Sequence, residues 1–160
     1  TSSNSRSIGI EIAAIGAVPP EQRKRLEPWY SPDDKGTQLV FPDWIGDPGI
    51  RTQSFLGHTA RPGLISGKVQ DEILVQYDFT PQQYAALARL TATLCTVFPR
   101  LVCDYPRDPG GQLVERTLSN QRLATYQGIL GHYHVQTNKV DPGPAFQWDR
   151  LVNDARRAMR

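Results

Sequence analysis

A chain of 160 residues is long enough for one domain and hardly enough for two. It is 39% hydrophobic and 21% charged with a net charge of +2, which excludes a disordered acidic chain and supplies no broad basic field for nucleic acid. No apolar run approaches the ~20 residues of a membrane span, and the 13 Gly and 13 Pro mark a turn-rich domain. Thr1–Ser5 carry neither an initiator Met nor a signal-peptide pattern, which reads as a processed product or a fragment. Cys95 and Cys103 make no C-x-x-C pair, so a zinc knuckle or thioredoxin-type motif is excluded. They read as one disulfide or as two small buried hydrophobes, and the second is favoured because Cys95 falls on the apolar face of a predicted helix.

Taken in chain order, Ser7–Ala13 alternates strictly. Ile8, Ile10 and Ile12 share one face and Gly9 and Glu11 the other, which predicts a strand. Residues 16–67 are punctuated by Pro19-Pro20, Ser31-Pro32-Asp33-Asp34, Gly46-Asp47-Pro48-Gly49 and Arg61-Pro62-Gly63, and read as a long loop insertion. Short strands are expected within it near Leu39–Phe41 and at its end over Leu64–Val69. Trp29, Tyr30, Trp44 and Phe55 are expected to anchor it to the body, ahead of a role stacking on sugar rings. Thr80-Pro81-Gln82-Gln83 is a capping box with Pro at the first helical position, and the stripe Tyr84, Leu87, Ala88, Thr91, Leu94, Cys95, Phe98 predicts a helix ended by Pro99. Residues 100–121 read as a polar loop, Leu118–Tyr126 as a short helix and Ile129–His132 as a short buried strand. A last helix is expected from near Pro144, turning Trp148, Leu151, Val152 and Ala155 inward and ending in Arg156, Arg157 and Arg160.

The chemistry concentrates between Gly131 and Phe146. Pro142 disfavours helical dihedrals at Asp141, and in an extended segment Lys139 and Asp141 point to one side with Val140 opposite. Gly143 permits a sharp turn and Pro144 is pre-set for a helix start. His132, at the end of its predicted strand, can meet this pair. One imidazole, one carboxylate and a further protein ligand would make a zinc site with a position open to water. A lysine beside it suits a developing oxyanion, and Glu11 suits a general base. On the residues alone, Asp141 as a turn initiator, His132 as a strand cap, and Glu11 and Lys139 as solvated charges stand as alternatives. His134 reads as a surface residue or a substitute ligand, and His58 as a replacement ligand if the long loop folds over the site.

The segments SIGIEI (Ser7–Ile12), FTPQQYAALARL followed by VFP (Phe79–Pro99), and GH followed by KVDPGPAFQW (Gly131–Trp148) resemble, in the same order, the zinc-dependent N-acetylmuramoyl-L-alanine amidases, the family that includes phage lysozyme-like amidases and animal peptidoglycan recognition proteins. The resemblance implies a single α/β domain over residues 1–160, with a mixed central sheet flanked by helices and a loop insertion after the Glu11 strand. It implies hydrolysis of the amide between N-acetylmuramic acid and L-alanine in peptidoglycan or muropeptides. By match, His132 and Asp141 resemble zinc ligands, Lys139 the basic residue that steadies the transition state, and Glu11 the acidic residue that acts on the attacking water. The family's remaining ligand is a histidine on a strand preceding the SIGIE block, so an N-terminal segment or a second chain is expected to supply it. A non-catalytic peptidoglycan-binding module and one half of a cleaved amidase stand as alternatives. The cell envelope is the favoured compartment, with cytoplasmic recycling as the other.

Overall fold

The structure, a computed structural model, describes residues 6–160. Its strands form two separate antiparallel hairpins. β1 (Tyr30–Asp33) pairs with β2 (Gly36–Leu39), and β3 (Leu64–Val69) pairs with β4 (Glu72–Tyr77). The helices are α1 (Pro81–Val97), α2 (Asn120–Thr125), the single turn α3 (His132–Val135) and α4 (Trp148–Ala158). The mixed α/β composition is as expected. The strands divide between two small sheets where one central sheet was anticipated. No helix among the described residues is long and apolar enough to cross a membrane.

One core joins β3–β4 to the helices. Tyr84, Ala88 and Ala92 of α1 meet Trp148, Leu151, Val152 and Ala155 of α4, with Val69, Leu74, Phe79, Tyr133 and Phe146 completing the cluster. The α1 cap forms as its sequence dictates. The Gln83 N–H donates to Thr80 Oγ1 at 3.2 Å and the Thr80 N–H donates to Gln83 Oε1 at 2.8 Å. Phe98, expected on the buried stripe, lies past the helix end and is exposed.

Three sequence expectations are corrected. Ser7–Ala13 is not a strand: none of the described strands pairs with it, and alternation without a neighbouring strand makes no ladder. Ile8 and Ile10 are exposed, Ile12 rests against the core, and the Ala13 carbonyl accepts from Gln83 Nε2. Pairing begins only at Val18, which exchanges both backbone hydrogen bonds with Val75. Ile129–His132 is likewise no strand, because the Gly131 N–H is taken by His134 Nδ1 three residues on, closing a helical turn. The last helix starts at Trp148 rather than near Pro144. The intervening backbone is committed to side chains: the Ala145 N–H donates to Gln76 Oε1, the Ala145 carbonyl accepts from Arg61, and the Gln147 N–H donates to the Tyr84 hydroxyl.

Residues 16–67 hold more order than their punctuation suggests. Two 3-10 turns (Pro20–Arg25 and Glu27–Trp29) lead into β1, Leu26 is buried, and Tyr30 stacks on Tyr77 of β4 at 4.1 Å between ring centroids. Of the four aromatics expected as anchors, Tyr30 serves. Trp29 makes an edge contact with Trp44, which is 69% exposed, and Phe55 lies at the surface. Both cysteines are free thiols, Cys103 buried and Cys95 half-buried. Burial first, and then the neighbouring Cys103, push the Cys95 thiol up to about 11.

Asp78, at the end of β4, is fully buried. Its carboxylate accepts from Arg61 Nε at 2.7 Å, Gln147 Nε2 at 2.7 Å, the Tyr84 hydroxyl at 2.7 Å and the Phe79 N–H at 2.9 Å. Asp78→Ala would strand these donors and should cost about 3 kcal/mol or more. Thr80→Ala, which removes only the cap acceptor, should cost about 1 kcal/mol. Urea unfolding midpoints of the two variants, read with a common slope, check the ranking.

Candidate functional site

His132 and Asp141 are brought together. α3 and the turn at Asp141–Pro142 lie side by side, and the Tyr133 N–H donates to the Asp141 carbonyl at 3.2 Å. The Asp141–Pro142 peptide is cis. Two glycines allow the approach. A Cβ on Gly131 would fall 2.7 Å from Pro142 Cδ, and Gly143 has φ +89° with the Gln76 amide where a Cβ would go. Gln76, buried on β4, holds the far end of the loop, donating to the Pro142 carbonyl and accepting from the Ala145 N–H.

The His132 Nδ1 stands 3.0 Å from Asp141 Oδ2, and its Nε2 stands 3.0 Å from Gln136 Oε1. Both side chains are open to solvent. Each ring nitrogen thus faces an oxygen. An imidazolium donates to both. A neutral ring with its proton on Nδ1 donates to Asp141; one with its proton on Nε2 donates to Gln136 and aims the Nδ1 lone pair at the carboxylate, where a cation satisfies both. Zinc binds nitrogen and oxygen at about 2.0–2.2 Å, so two tetrahedral ligands of one ion stand roughly 3.3 Å apart. The observed pair lies within a few tenths of an ångström of that spacing, and its donor chemistry fits two positions of a zinc site. No group of three His, Cys, Asp or Glu able to hold a metal collects among the described residues.

The other sequence candidates divide. Lys139 is half-buried in the same loop, its N–H donating to the Gln136 carbonyl at 3.3 Å. Glu11 is exposed, in the irregular segment that precedes Ala13. His58 is committed elsewhere, with its Nε2 2.7 Å from Asp33 Oδ2 on the β1–β2 hairpin; that partner draws the Asp33 carboxyl below its ordinary range. His134 is neither surface residue nor ligand. It is fully buried, its Nδ1 accepts from the Gly131 N–H at 2.9 Å and its Nε2 donates to the Val114 carbonyl at 2.7 Å. Those partners fix a neutral ring protonated on Nε2, and burial holds its pKa down to about 4.

The sequence reading passed over Gln70, Gln76 and Gln136. Gln136 has a legible signal: it stands four residues after His132, the spacing that meets on one face of a helix, but a strand expected to end at His132 hides it. Gln70 and Gln76 reach the loop from β3–β4, and nothing local marks them.

An exposed imidazole–carboxylate pair on a braced loop is the kind of polar site that loops on a rigid scaffold carry. A family model described as N-acetylmuramoyl-L-alanine amidase matches residues 1–144, and the chain belongs to that family. The matched span contains Glu11, His132, Lys139 and Asp141. No curated protein and no solved structure matches the chain.

The buried neutral His134 has a consequence for stability. Its folded pKa of about 4 lies below the ordinary 6.5, so the unfolded chain binds the extra proton first and stability falls as pH drops from about 6.5 towards 4. The loss should reach on the order of 3 kcal/mol. Ring-carbon NMR titration checks it: the His134 signal should remain that of a neutral ring to about pH 4.

Proposed function

We propose that this chain carries the catalytic face of an N-acetylmuramoyl-L-alanine amidase, cleaving the amide between N-acetylmuramic acid and L-alanine in peptidoglycan or muropeptides, with His132 and Asp141 as zinc ligands. The observation that supports it best is the exposed His132–Asp141 pair at 3.0 Å, inside the span that matches the family. Zinc, when bound, supplies Lewis acidity at the amide carbonyl and lowers the pKa of water towards ~7.

The chain's own groups take the remaining roles. Gln136 holds the His132 ring through Nε2 and so keeps Nδ1 directed at the metal side. Lys139, two residues before Asp141, contributes positive charge where the amide oxygen becomes an oxyanion, an effect worth roughly 3–4 kcal/mol for a well-placed donor. The Glu11 carboxylate accepts the proton of the attacking water and passes one to the departing L-alanine amine. A third protein ligand is assigned to a histidine outside the described residues, on a further segment or a second chain. The substrate sets the compartment, the cell envelope for intact wall.

A second reading, a peptidoglycan-binding module without hydrolysis, is favoured by one observation: no third donor joins the pair among the described residues.

Two substitutions separate the readings. Asp141→Ala should lose both zinc, measured by metal analysis, and muropeptide cleavage, measured by release of the L-alanine amine. Glu11→Gln should keep its zinc and lose cleavage at least 100-fold. Undiminished zinc in the first variant would remove Asp141 from the ligand set. Muropeptide binding without cleavage or zinc in the unsubstituted protein would establish the binding module.

A further inference from the structure

Gln70 occupies an unfavourable backbone position. With Asp71 it forms the two-residue turn between β3 and β4, at φ +53° and +69°. Such turns favour Asn and Gly, and an ordinary L residue is strained there. Gln supplies none of the local hydrogen bonding that lets Asn or Asp tolerate the conformation. A residue held in such a state is over-determined by its surroundings, and here the surroundings are the loop that carries His132.

The Gln70 side chain crosses from the hairpin to that loop. Its Oε1 accepts from the Thr117 N–H at 3.1 Å. Its Nε2 lies 2.8 Å from Thr117 Oγ1, 2.8 Å from the Gln136 carbonyl, 3.0 Å from the Tyr133 carbonyl and 3.3 Å from the Lys139 carbonyl. An amide nitrogen has two hydrogens to give. The Tyr133 carbonyl already receives the Thr117 hydroxyl at 2.8 Å. The two shortest contacts, to Thr117 and Gln136, therefore take the hydrogens. The Gln136 carbonyl is fixed from the hairpin, and the Gln136 side chain in turn meets His132 Nε2. The same carbonyl accepts from the Lys139 N–H. One amide thus holds the segment that bears both the imidazole and the lysine.

We propose that Gln70 is a positioning residue of the amidase site, setting the orientation and tautomer of the His132 ring through Gln136. The catalytic consequence rests on the function proposed above; the effect on the ring stands without it. Gln70 touches neither His132 nor Asp141, and its influence passes entirely through the loop.

Gln70→Gly tests this, since glycine is suited to φ +53° and preserves the hairpin while deleting the clasp. Gln70→Glu is the companion variant, matched in size, with the donating nitrogen replaced by an acceptor. In the unsubstituted protein, long-range proton–nitrogen NMR of the neutral His132 ring should show a single tautomer. Both variants should give a mixture of tautomers, faster hydrogen exchange at the Lys139 amide by at least tenfold, and unchanged exchange across the Val69–Glu72 end of the hairpin. Where the unsubstituted protein cleaves muropeptide, kcat should fall at least tenfold with KM within twofold. An unchanged His132 tautomer and Lys139 exchange in a folded Gln70→Gly protein would overturn the proposal. Absence of cleavage in the unsubstituted protein would count against the amidase reading alone, because the ring tautomer still decides the role of Gln70.

Discussion

A single buried carboxylate ties this fold together. Asp78 buries its carboxylate, and the desolvation is tolerable only because four donors meet it. Those donors come from separate parts of the chain: Arg61 from the segment before β3, Phe79 and Tyr84 from the entry and first turn of α1, and Gln147 from the threshold of α4. Moving any of them leaves the buried carboxylate a hydrogen bond short. The hairpin, the two packed helices and the loop before α4 are therefore fixed to one another by electrostatics as well as by apolar contact. Every buried side-chain nitrogen and oxygen among the described residues has a hydrogen-bond partner, so the polar interior is fully committed.

The site is a product of that commitment. The loop from His132 to Ala145 has little regular structure to stiffen it, and two glutamines on β3–β4 hold it from beneath. Gln76 secures Pro142 and Ala145, and Gln70 secures Gln136. His134 turns inward, bonding Gly131 and Val114, while His132, two residues earlier, faces solvent and Asp141. Their opposite fates follow from the helical turn, which sends positions two apart to different sides.

Much of this was legible where the signal was local. The Thr80–Gln83 capping box, the span of β3, the inward face of α4 and the short helix near Asn120 each follow from residues within a few positions of one another. The His132–Asp141 pairing came from a motif resemblance and not from periodicity. What escaped was non-local. Ser7–Ala13 has the alternation of a strand, but a strand exists only with a partner, and alternation says nothing of one. The Ile129–His132 segment is apolar enough for a strand, yet a ring nitrogen three residues on captures the glycine N–H. Gln70, Gln76 and Asp78 are polar residues whose meaning lies in partners tens of positions away, and no pattern in their own neighbourhood records it.

The end of the family match has an architectural consequence. The match stops at residue 144, and α4 begins at Trp148. Trp148, Leu151, Val152 and Ala155 are nonetheless part of the central apolar cluster, and Gln147 is a ligand of the Asp78 carboxylate. The span matched by the family model and the apolar core of this protein therefore have different borders. A fragment trimmed to the matched span would keep Glu11, His132, Lys139 and Asp141 while laying open the apolar face of α1, and the loop that carries the site would lose the helix that closes the floor beneath it.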